Sequence, residues 1–186
     1  MPNAASLTGR QILIMATDGF EQSELEVPLK QLKDAGADIS IASLRTDDIR
    51  GWDGSDWGNK VAVDRLIKDV DVEDYDALVL PGGQINPDLL RVEDAAIDLI
   101  RAFAKAGKPI AAICHAPWLL IEAGLAEGRR MTGYKSIRTD IGNAGAKLLD
   151  EAVVVDRGII TSRCPDDLDA FCAAIVETVV DSRVAT

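Results

Sequence analysis

The sequence is poor in histidine and cysteine. Among its 186 residues there is one histidine, His115, and there are three cysteines, Cys114, Cys164 and Cys172. An odd number of irregularly spaced cysteines argues against a disulfide framework. A single histidine with no ligand-like spacing of Cys or Asp around it argues against a metal site. No P-loop or G-x-G-x-x-G pattern occurs either. We therefore expect no cofactor and no metal.

Positive charge is also scarce. Twenty Lys and Arg residues face 31 Asp and Glu residues, which gives a formal net charge of −11. Nucleic acids and anionic membranes both require basic patches, so neither is expected as a partner. No apolar run approaches the length of a membrane span, and the first ten residues lack the apolar core of a signal peptide. These absences favour a cytoplasmic protein with free thiols.

Short apolar runs alternate with segments of helical periodicity along the chain. The runs include Ile12 to Met15, Ile39 to Ala42, "DALVLPGG" and "PIAAIC", and a segment with helical spacing of apolar residues separates most of them. This alternation predicts an α/β fold, a three-layer α/β/α sandwich with a mostly parallel central sheet. We expect one domain over residues 1–186, with residues 1–10 as a short N-terminal extension.

Other segments carry weaker signals. "AVVVD" and "GIITS" predict a late hairpin around Asp156 to Gly158, whereas "IRGWDGSDWGNKVAVD" predicts a loop leading into a short strand. Ser23 and Glu26 have the spacing of a capping box. Pro28 lies within the helix predicted from Leu25, Leu29 and Leu32, and is expected to interrupt and kink it.

Three polar or glycine-rich turns follow predicted strands: "TDGFE", "PGGQINPD" and "CH". The carboxyl ends of parallel strands lie on one edge of a sheet, where such folds bind ligands. We therefore expect these three turns to meet and to form a site.

Cys114 lies where a buried strand passes into a helix. This is the position of a nucleophile elbow, although the flanking sequence is not G-x-S-x-G. A helix N-terminus favours the thiolate, so the pKa of Cys114 is expected to be depressed. His115 would add a base or a cation beside the sulfur. Most buried cysteines are inert packing residues, but the elbow position and the adjacent histidine favour a reactive thiol.

Several neighbouring residues allow two interpretations. Gly82 and Gly83 form either a simple turn or part of an oxyanion hole, in which Gly83 and His115 each contribute a backbone N–H. Glu21 is either a helix-start acid or a protonated carboxyl that donates a hydrogen bond to the Cys114 sulfur.

Three further side chains are candidates for the same site. Asp88 either orients His115 or lies in a helix start with Asn86 as N-cap and Pro87 at the first helical position. Arg163 either binds an anion near the site or is a surface cation. Tyr134 either borders the pocket or packs.

The motifs "DGFEQSEL", "ALVLPGG", "AICHAPWLLIEAGL", "NAGA" and "VVVDRGIITSRCPDDL" together resemble the PfpI, or intracellular protease I, family. The resemblance implies a flavodoxin-like fold and a nucleophilic Cys114 with His115 beside it. It also implies Glu21 as the acid bonded to the thiol and Gly83 and His115 as oxyanion donors. In the family a further acid reaches the histidine from a neighbouring subunit. Asp88 falls near that position, so a homo-oligomer, most simply a dimer, is expected.

The resemblance implies a cytoplasmic stress-response enzyme. Cys114 would attack a small-molecule carbonyl or a glycated adduct, as a deglycase or glyoxalase-type hydrolase does. A non-enzymatic redox sensor or chaperone that uses the same thiol is the first alternative, and an intracellular peptidase acting on peptides is the second. Glutamine amidotransfer is disfavoured, because that chemistry uses a distant His-x-Glu pair and the chain has no second histidine.

Overall fold

A seven-stranded sheet forms the centre of this computed structural model, which describes residues 6–182. Two further pairs of strands form small separate sheets. The strands of all three sheets are β1 (Gln11–Met15), β2 (Asp38–Ser43), β3 (Ile49–Asp53), β4 (Asp56–Val61), β5 (Arg65–Leu66), β6 (Ala77–Leu80), β7 (Ile110–Ile113), β8 (Arg130–Met131), β9 (Lys147–Leu148), β10 (Val153–Asp156) and β11 (Ile159–Ser162). The separate pairs are β3-β4 and β8-β9. The central sheet has the order β10-β11-β7-β6-β1-β2-β5, and β10 alone runs antiparallel to its neighbour.

Helices cover both faces of this sheet. They are α1 (Gln22–Asp34), α2 (Ile85–Leu90), α3 (Asp94–Lys105), α4 (Pro117–Glu122), α5 (Arg138–Asn143) and α6 (Leu168–Asp181). Leu25 of α1 and Phe171 of α6 belong to the core on one face, and Phe103 of α3 and Leu119 of α4 belong to the core on the other. The predicted mostly parallel α/β/α sandwich is confirmed.

The apolar runs explain the sheet. Every residue of β6 and β7 is buried, as are four of the five residues of β1. Strands buried on both faces read as continuous apolar runs, because helices shield each side. The late hairpin is confirmed too: β10 and β11 are antiparallel, and Arg157 and Gly158 both have positive φ in the turn.

Three local predictions were wrong. The Gly, Asp and Trp-rich segment forms the antiparallel hairpin β3–β4 rather than a loop. Ser23 and Glu26 do not make a capping box, because α1 begins at Gln22 and its N-cap, Glu21, makes no side-chain capping bond. Pro28 does not interrupt the helix, because α1 continues past it to Asp34; the kink there stays a prediction.

The chain ends are partly described. Leu7 is fully buried and its N–H donates to the carbonyl of Ala35 at 2.8 Å, so residues 6–10 pack on the domain. The first five residues of the expected N-terminal extension lie outside the described residues. Within residues 6–182, no helix combines the length and the apolar character needed to cross a membrane.

Candidate active site

The carboxyl ends of β1, β6 and β7 meet at one edge of the sheet. The turns that follow these strands therefore come together, as the sequence predicted. The side chain of Asn86, which is fully buried, joins two of these turns. Its Oδ1 accepts the N–H of Thr17 at 2.7 Å, and its Nδ2 donates to the carbonyls of Pro81 and Gly82 at 2.9 and 3.2 Å. Asn86 therefore links two turns by hydrogen bonds. It is not the N-cap of α2, as one interpretation of the sequence had it, because that position belongs to Gln84.

Cys114 occupies the sharp turn between β7 and α4. Its φ of 64° lies in the left-handed region, which is uncommon for a residue other than glycine. Two backbone hydrogen bonds hold this conformation: the Cys114 N–H donates to Ser162 at 3.1 Å, and its carbonyl accepts from Tyr134 at 2.8 Å. A backbone conformation maintained against its local preference is typical of functional sites.

The carboxyl group beside the Cys114 thiol belongs to Glu24. Its Oε2 accepts the N–H of Gly82 at 2.9 Å, and its Oε1 is buried without a hydrogen-bond partner of standard geometry within residues 6–182. The Glu24 side chain nevertheless lies close enough to the Cys114 thiol for the two groups to affect each other's protonation. Burial raises the pKa of Glu24 to about 8. Glu24 therefore carries a proton near neutral pH, and the sulfur is the acceptor available to Oε1.

The thiol itself is not activated in the way that the sequence predicted. Burial raises the pKa of Cys114, repulsion from Glu24 raises it further wherever that carboxyl group is ionised, and the N–H groups of Gly83 and His115 lower it only in part. The predicted depression of the pKa was wrong, because α4 begins at Pro117, three residues beyond the cysteine, and because the side chain is 5% exposed. A resting thiol here needs a base when it reacts.

His115 is placed to be that base. Its Nδ1 lies 3.1 Å from the Cys114 Sγ, and its Nε2 lies 3.0 Å from the Ser136 Oγ. The ring stacks on Tyr134 with centroids 4.7 Å apart and an interplanar angle of 28°. Burial lowers the pKa of His115, so the imidazole is neutral near pH 7 and free to accept a proton.

Two glycines allow the backbone to approach the sulfur. A Cβ on Gly82 would lie 2.5 Å from Glu24 Oε2 and 2.7 Å from the Cys114 Cβ. Gly83 has a φ of 76°, and its Cβ would lie 2.5 Å from the backbone N of Glu21. With no side chains at these positions, the N–H groups of Gly83 and His115 both face the Cys114 sulfur. Two N–H groups beside the nucleophile are the kind of donors that an oxyanion hole uses.

Glu21 does not contact the thiol, and Asp88 lies in the first turn of α2, as one of its two interpretations expected. Glu21 lines the same cavity but interacts with Ser23 and the backbone of Gly54, and its pKa is raised by burial and by Asp53. The prediction that Glu21 contacts the thiol was wrong, because Glu24, one helical turn further on, has that place. Asp88 is exposed on α2, and within residues 6–182 it makes no hydrogen bond to His115.

The sulfur opens into a cavity of about 330 Å³. Tyr134 and Trp52 line it, as do Gly83, Gln84 and Pro165. Tyr134 thus borders the pocket, and its role in binding stays a prediction. Arg163 lies outside this cavity, because its guanidinium group forms a fork with Asp167 at 2.8 and 3.0 Å and a third bond to Asp150 at 3.0 Å. Direct contact of Arg163 with a group bound at Cys114 is therefore not supported.

Sequence reasoning missed two residues of the site. Glu24 had a readable signal, since it shares the buried face of α1 with Leu25, Pro28 and Leu32, and a carboxylate on an apolar stripe requires an explanation. Ser136 had none, because it reaches His115 only through the fold of the segment after β8. In residues 6–182 there is no group of three His, Cys, Asp or Glu residues that could hold a metal ion.

Comparison with known proteins identifies a family that the chain matches over most of its length. The model of the DJ-1/PfpI family matches residues 10–178. Protein/nucleic acid deglycase 2 of Escherichia coli K12 is 41% identical over 164 residues, which cover 87% of this chain and 93% of that protein. General stress protein 18 of Bacillus subtilis is 42% identical over 165 residues, 88% of this chain and 94% of that protein.

A solved structure shows the same likeness. Drosophila melanogaster DJ-1beta superposes with a TM-score of 0.82 at 28% identity and covers 95% of this chain and 98% of its own. The match of the family model to nearly the whole chain, together with relatives at about 40% identity, establishes that this protein belongs to the DJ-1/PfpI family.

Proposed function

We propose that this protein is a cytoplasmic cysteine-dependent hydrolase that acts on reactive carbonyls or glycated adducts, as a deglycase. The observation that carries the proposal is the geometry around Cys114, where a thiol faces a neutral imidazole at 3.1 Å and two backbone N–H groups. A relative named as a deglycase, about 40% identical over nearly its whole length, supports a hydrolase-type enzyme. A relative named as a stress protein supports a role in stress.

The chemistry follows from these positions. His115 Nδ1 takes the thiol proton as the sulfur attacks, so no free thiolate is needed at rest. For the hemiaminal that methylglyoxal forms with an amine, the sulfur would displace the amine at C1 and form a hemithioacetal. The amine would leave with the proton that His115 took from the thiol. Transfer of a proton from C1 to C2 through an enediol gives a lactoyl thioester, which water hydrolyses. In total, adduct and water give amine and lactate, and the thiol is restored.

The backbone supports two of these steps. The N–H groups of Gly83 and His115 would stabilise the oxygen anion that develops at C1 and later at the thioester. Glu24, protonated near neutral pH, would donate to the sulfur whenever it carries negative charge. The Ser136 Oγ would hold the His115 ring in the orientation that leaves Nδ1 towards the sulfur.

Turnover of methylglyoxal adducts by purified protein tests the proposal. Wild type should release lactate, and Cys114→Ser should release none above background. Cys172→Ser is the matched control, because Cys172 is a buried cysteine on α6, and it should retain full activity. Equal lactate release by wild type and Cys114→Ser would refute a role for this thiol.

A redox sensor is the second candidate, favoured by the contact of Glu24 with the thiol. Oxidation by peroxide would give a sulfenic and then a sulfinic acid. The protonated carboxyl and the two N–H groups would bind the sulfinate oxygens. Brief peroxide treatment followed by mass mapping should then find the dioxidised form at Cys114 and less at Cys164. If only Cys164 were oxidised, this candidate would fail.

Peptidase activity has less support from the geometry. The His115 Nε2 lies within hydrogen-bond distance of Ser136, and within the described part of the chain no carboxylate orients it. Asp88 would have to act across a subunit boundary. We propose a homo-oligomer on separate grounds, because Ile85, Leu89 and Val92 are 37%, 44% and 77% exposed on and after α2, close to Asp88. Such an apolar patch is typical of an interaction surface.

A further inference from the structure

A second cavity of about 230 Å³ adjoins the one above Cys114. It is lined by Tyr134, Lys135, Arg138, Asp150, Arg163 and Cys164. Tyr134 lines both cavities, and Cys164 of the second precedes Pro165 of the first. A ligand with its reactive carbon at Cys114 would reach this cavity by passing along Tyr134.

The second cavity carries more positive than negative charge. Three cations, Lys135, Arg138 and Arg163, face one lining carboxylate, Asp150. This is unusual for a chain with a net charge of −11. Asp167 also forms an ion pair with Arg163. Counting Asp150 and Asp167 against the three cations, one positive charge remains in excess.

Part of this cationic capacity is unused. Lys135 makes no side-chain hydrogen bond or ion pair among residues 6–182, and the buried Nε of Arg138 has no partner there. Asp150 bridges Arg138 at 2.6 Å and Arg163 at 3.0 Å, yet its side chain is 60% exposed. The bridge shows that a carboxylate fits between the two guanidinium groups, and a ligand carboxylate could take this place if it displaced the exposed Asp150 side chain.

We propose that this cavity binds a carboxylate of the substrate, so that the preferred substrates are adducts of carboxylate-bearing small molecules such as amino acids. Arginine recognises carboxylates through paired hydrogen bonds. In this arrangement Arg138 and Lys135 contact the ligand, and Arg163 is a positioning residue held by Asp167. The inference rests on the proposed role of Cys114 as the nucleophile and adds the substrate class.

Negative charge in the lining of the first cavity also bears on the direction of binding. Glu21 lines this cavity and lies close enough to Asp53 for the two carboxyl groups to repel each other. A substrate carboxylate beside Glu21 would meet negative charge, whereas beyond Tyr134 it would meet Lys135 and Arg138. The charges thus favour an orientation with the carboxylate in the second cavity.

Alkylation of Cys114 tests the carboxylate site without any turnover. N-iodoacetylglycine and its amide present the same reactive carbon and differ only in charge. Mass mapping would give the rate of Cys114 labelling by each reagent. The ratio of acid to amide rate should fall by about fivefold in Lys135→Gln and in Arg138→Gln, in line with partly exposed ion pairs, and added salt should lower the wild-type ratio.

Lys105→Gln is the matched control, since it removes the same charge from the exposed end of α3, and its ratio should equal that of wild type. A ratio that is the same in wild type, Lys135→Gln and Arg138→Gln would overturn the proposal. If Arg138→Gln does not fold, Lys135→Gln decides alone. Protection of Cys114 by inorganic phosphate but not by acetate would also count against a carboxylate site.

A turnover measurement separates this proposal from the proposed function. Hemithioacetals of methylglyoxal with N-acetylcysteine and with its amide form the corresponding substrate pair. Lys135→Gln should lower kcat/KM for the acid by about fivefold more than for the amide. If neither is turned over but the labelling ratio behaves as described, the deglycase proposal fails and the carboxylate site stands. If acid and amide were turned over with equal kcat/KM, the deglycase proposal would stand and the carboxylate site would fail.

Discussion

The buried carboxyl group of Glu24 should make the stability of the fold depend on pH. Burial raises its pKa from 4.5 to about 8. Between these values the folded protein holds a proton that the unfolded chain releases, so the free energy of unfolding falls as pH rises. The contribution is fully present below about pH 4.5 and is lost as pH passes through about 8. At about 1.4 kcal/mol per pH unit, the whole window corresponds to about 5 kcal/mol.

Glu24→Gln removes this titration and keeps the size of the side chain. We expect the difference in free energy of unfolding between wild type and Glu24→Gln to fall by about 4 kcal/mol from about pH 5 to about pH 8. Urea unfolding at several pH values, followed by circular dichroism, measures it. The sign is specific, since an acid stabilised in its ionised form would give a rise with pH.

The control is Glu151→Gln, which makes the same chemical change at an exposed position before β10. Its difference from wild type should not vary over the window. A difference between wild type and Glu24→Gln that stays constant with pH would show that Glu24 is ionised in the folded protein. The hydrogen bond from its carboxyl group to the sulfur would then have to be abandoned.

Three further perturbations test other contacts of the site. Gly82→Ala should destabilise the fold by about 1–3 kcal/mol, because the new Cβ meets Glu24. Gly142→Ala is the control, since its Cβ has free space and should not destabilise the fold. Thermal melting of both variants measures the difference. Ser136→Ala should lower kcat by about three- to tenfold with KM nearly constant, as expected for one lost hydrogen bond to His115, and an unchanged kcat would remove its orienting role. Sedimentation at micromolar concentration should show a dimer or larger oligomer that Leu89→Glu dissociates, and a monomeric wild type would end the proposal of a subunit boundary near the site.

The fold and the elbow were predictable because their signals are local in the chain. Buried parallel strands show as apolar runs, and the position of Cys114 follows from the end of one such run. The neighbour relation of Cys114 and His115 required no tertiary information. The same holds for Gly83, since a glycine pair after a strand indicates a close backbone approach.

The acid at the thiol was not predictable in the same way. Choosing between Glu21 and Glu24 requires the exact start of α1, and helix starts are poorly determined by sequence. Because α1 begins at Gln22, the Glu21 side chain turns towards Gly54, and Glu24 faces the sheet edge. The prediction of a lowered pKa for Cys114 was wrong for a related reason. Burial raises this pKa, and burial depends on packing around the site rather than on the cysteine's place in the chain.

The hairpin and Arg163 show two further limits. The β3–β4 hairpin has a register shift between Arg50 and Trp52 and is stabilised by the edge-to-face contact of Trp52 with Trp57. Its residues therefore do not alternate in the way that predicts a strand. Arg163 was expected at the site because it follows β11, but its i,i+4 pair with Asp167 turns it into the adjacent cavity.

The hydrogen bonds of Asn86 between two turns have a consequence for local unfolding at the site. The Thr17 amide donates to a side chain and not to a strand, so its hydrogen exchanges with solvent only when Asn86 withdraws. The same withdrawal frees the carbonyls of Pro81 and Gly82, which belong to the turn that supplies an oxyanion donor. Exchange at Thr17 thus reports the local unfolding of both turns as one cooperative unit, separately from global unfolding of the sheet.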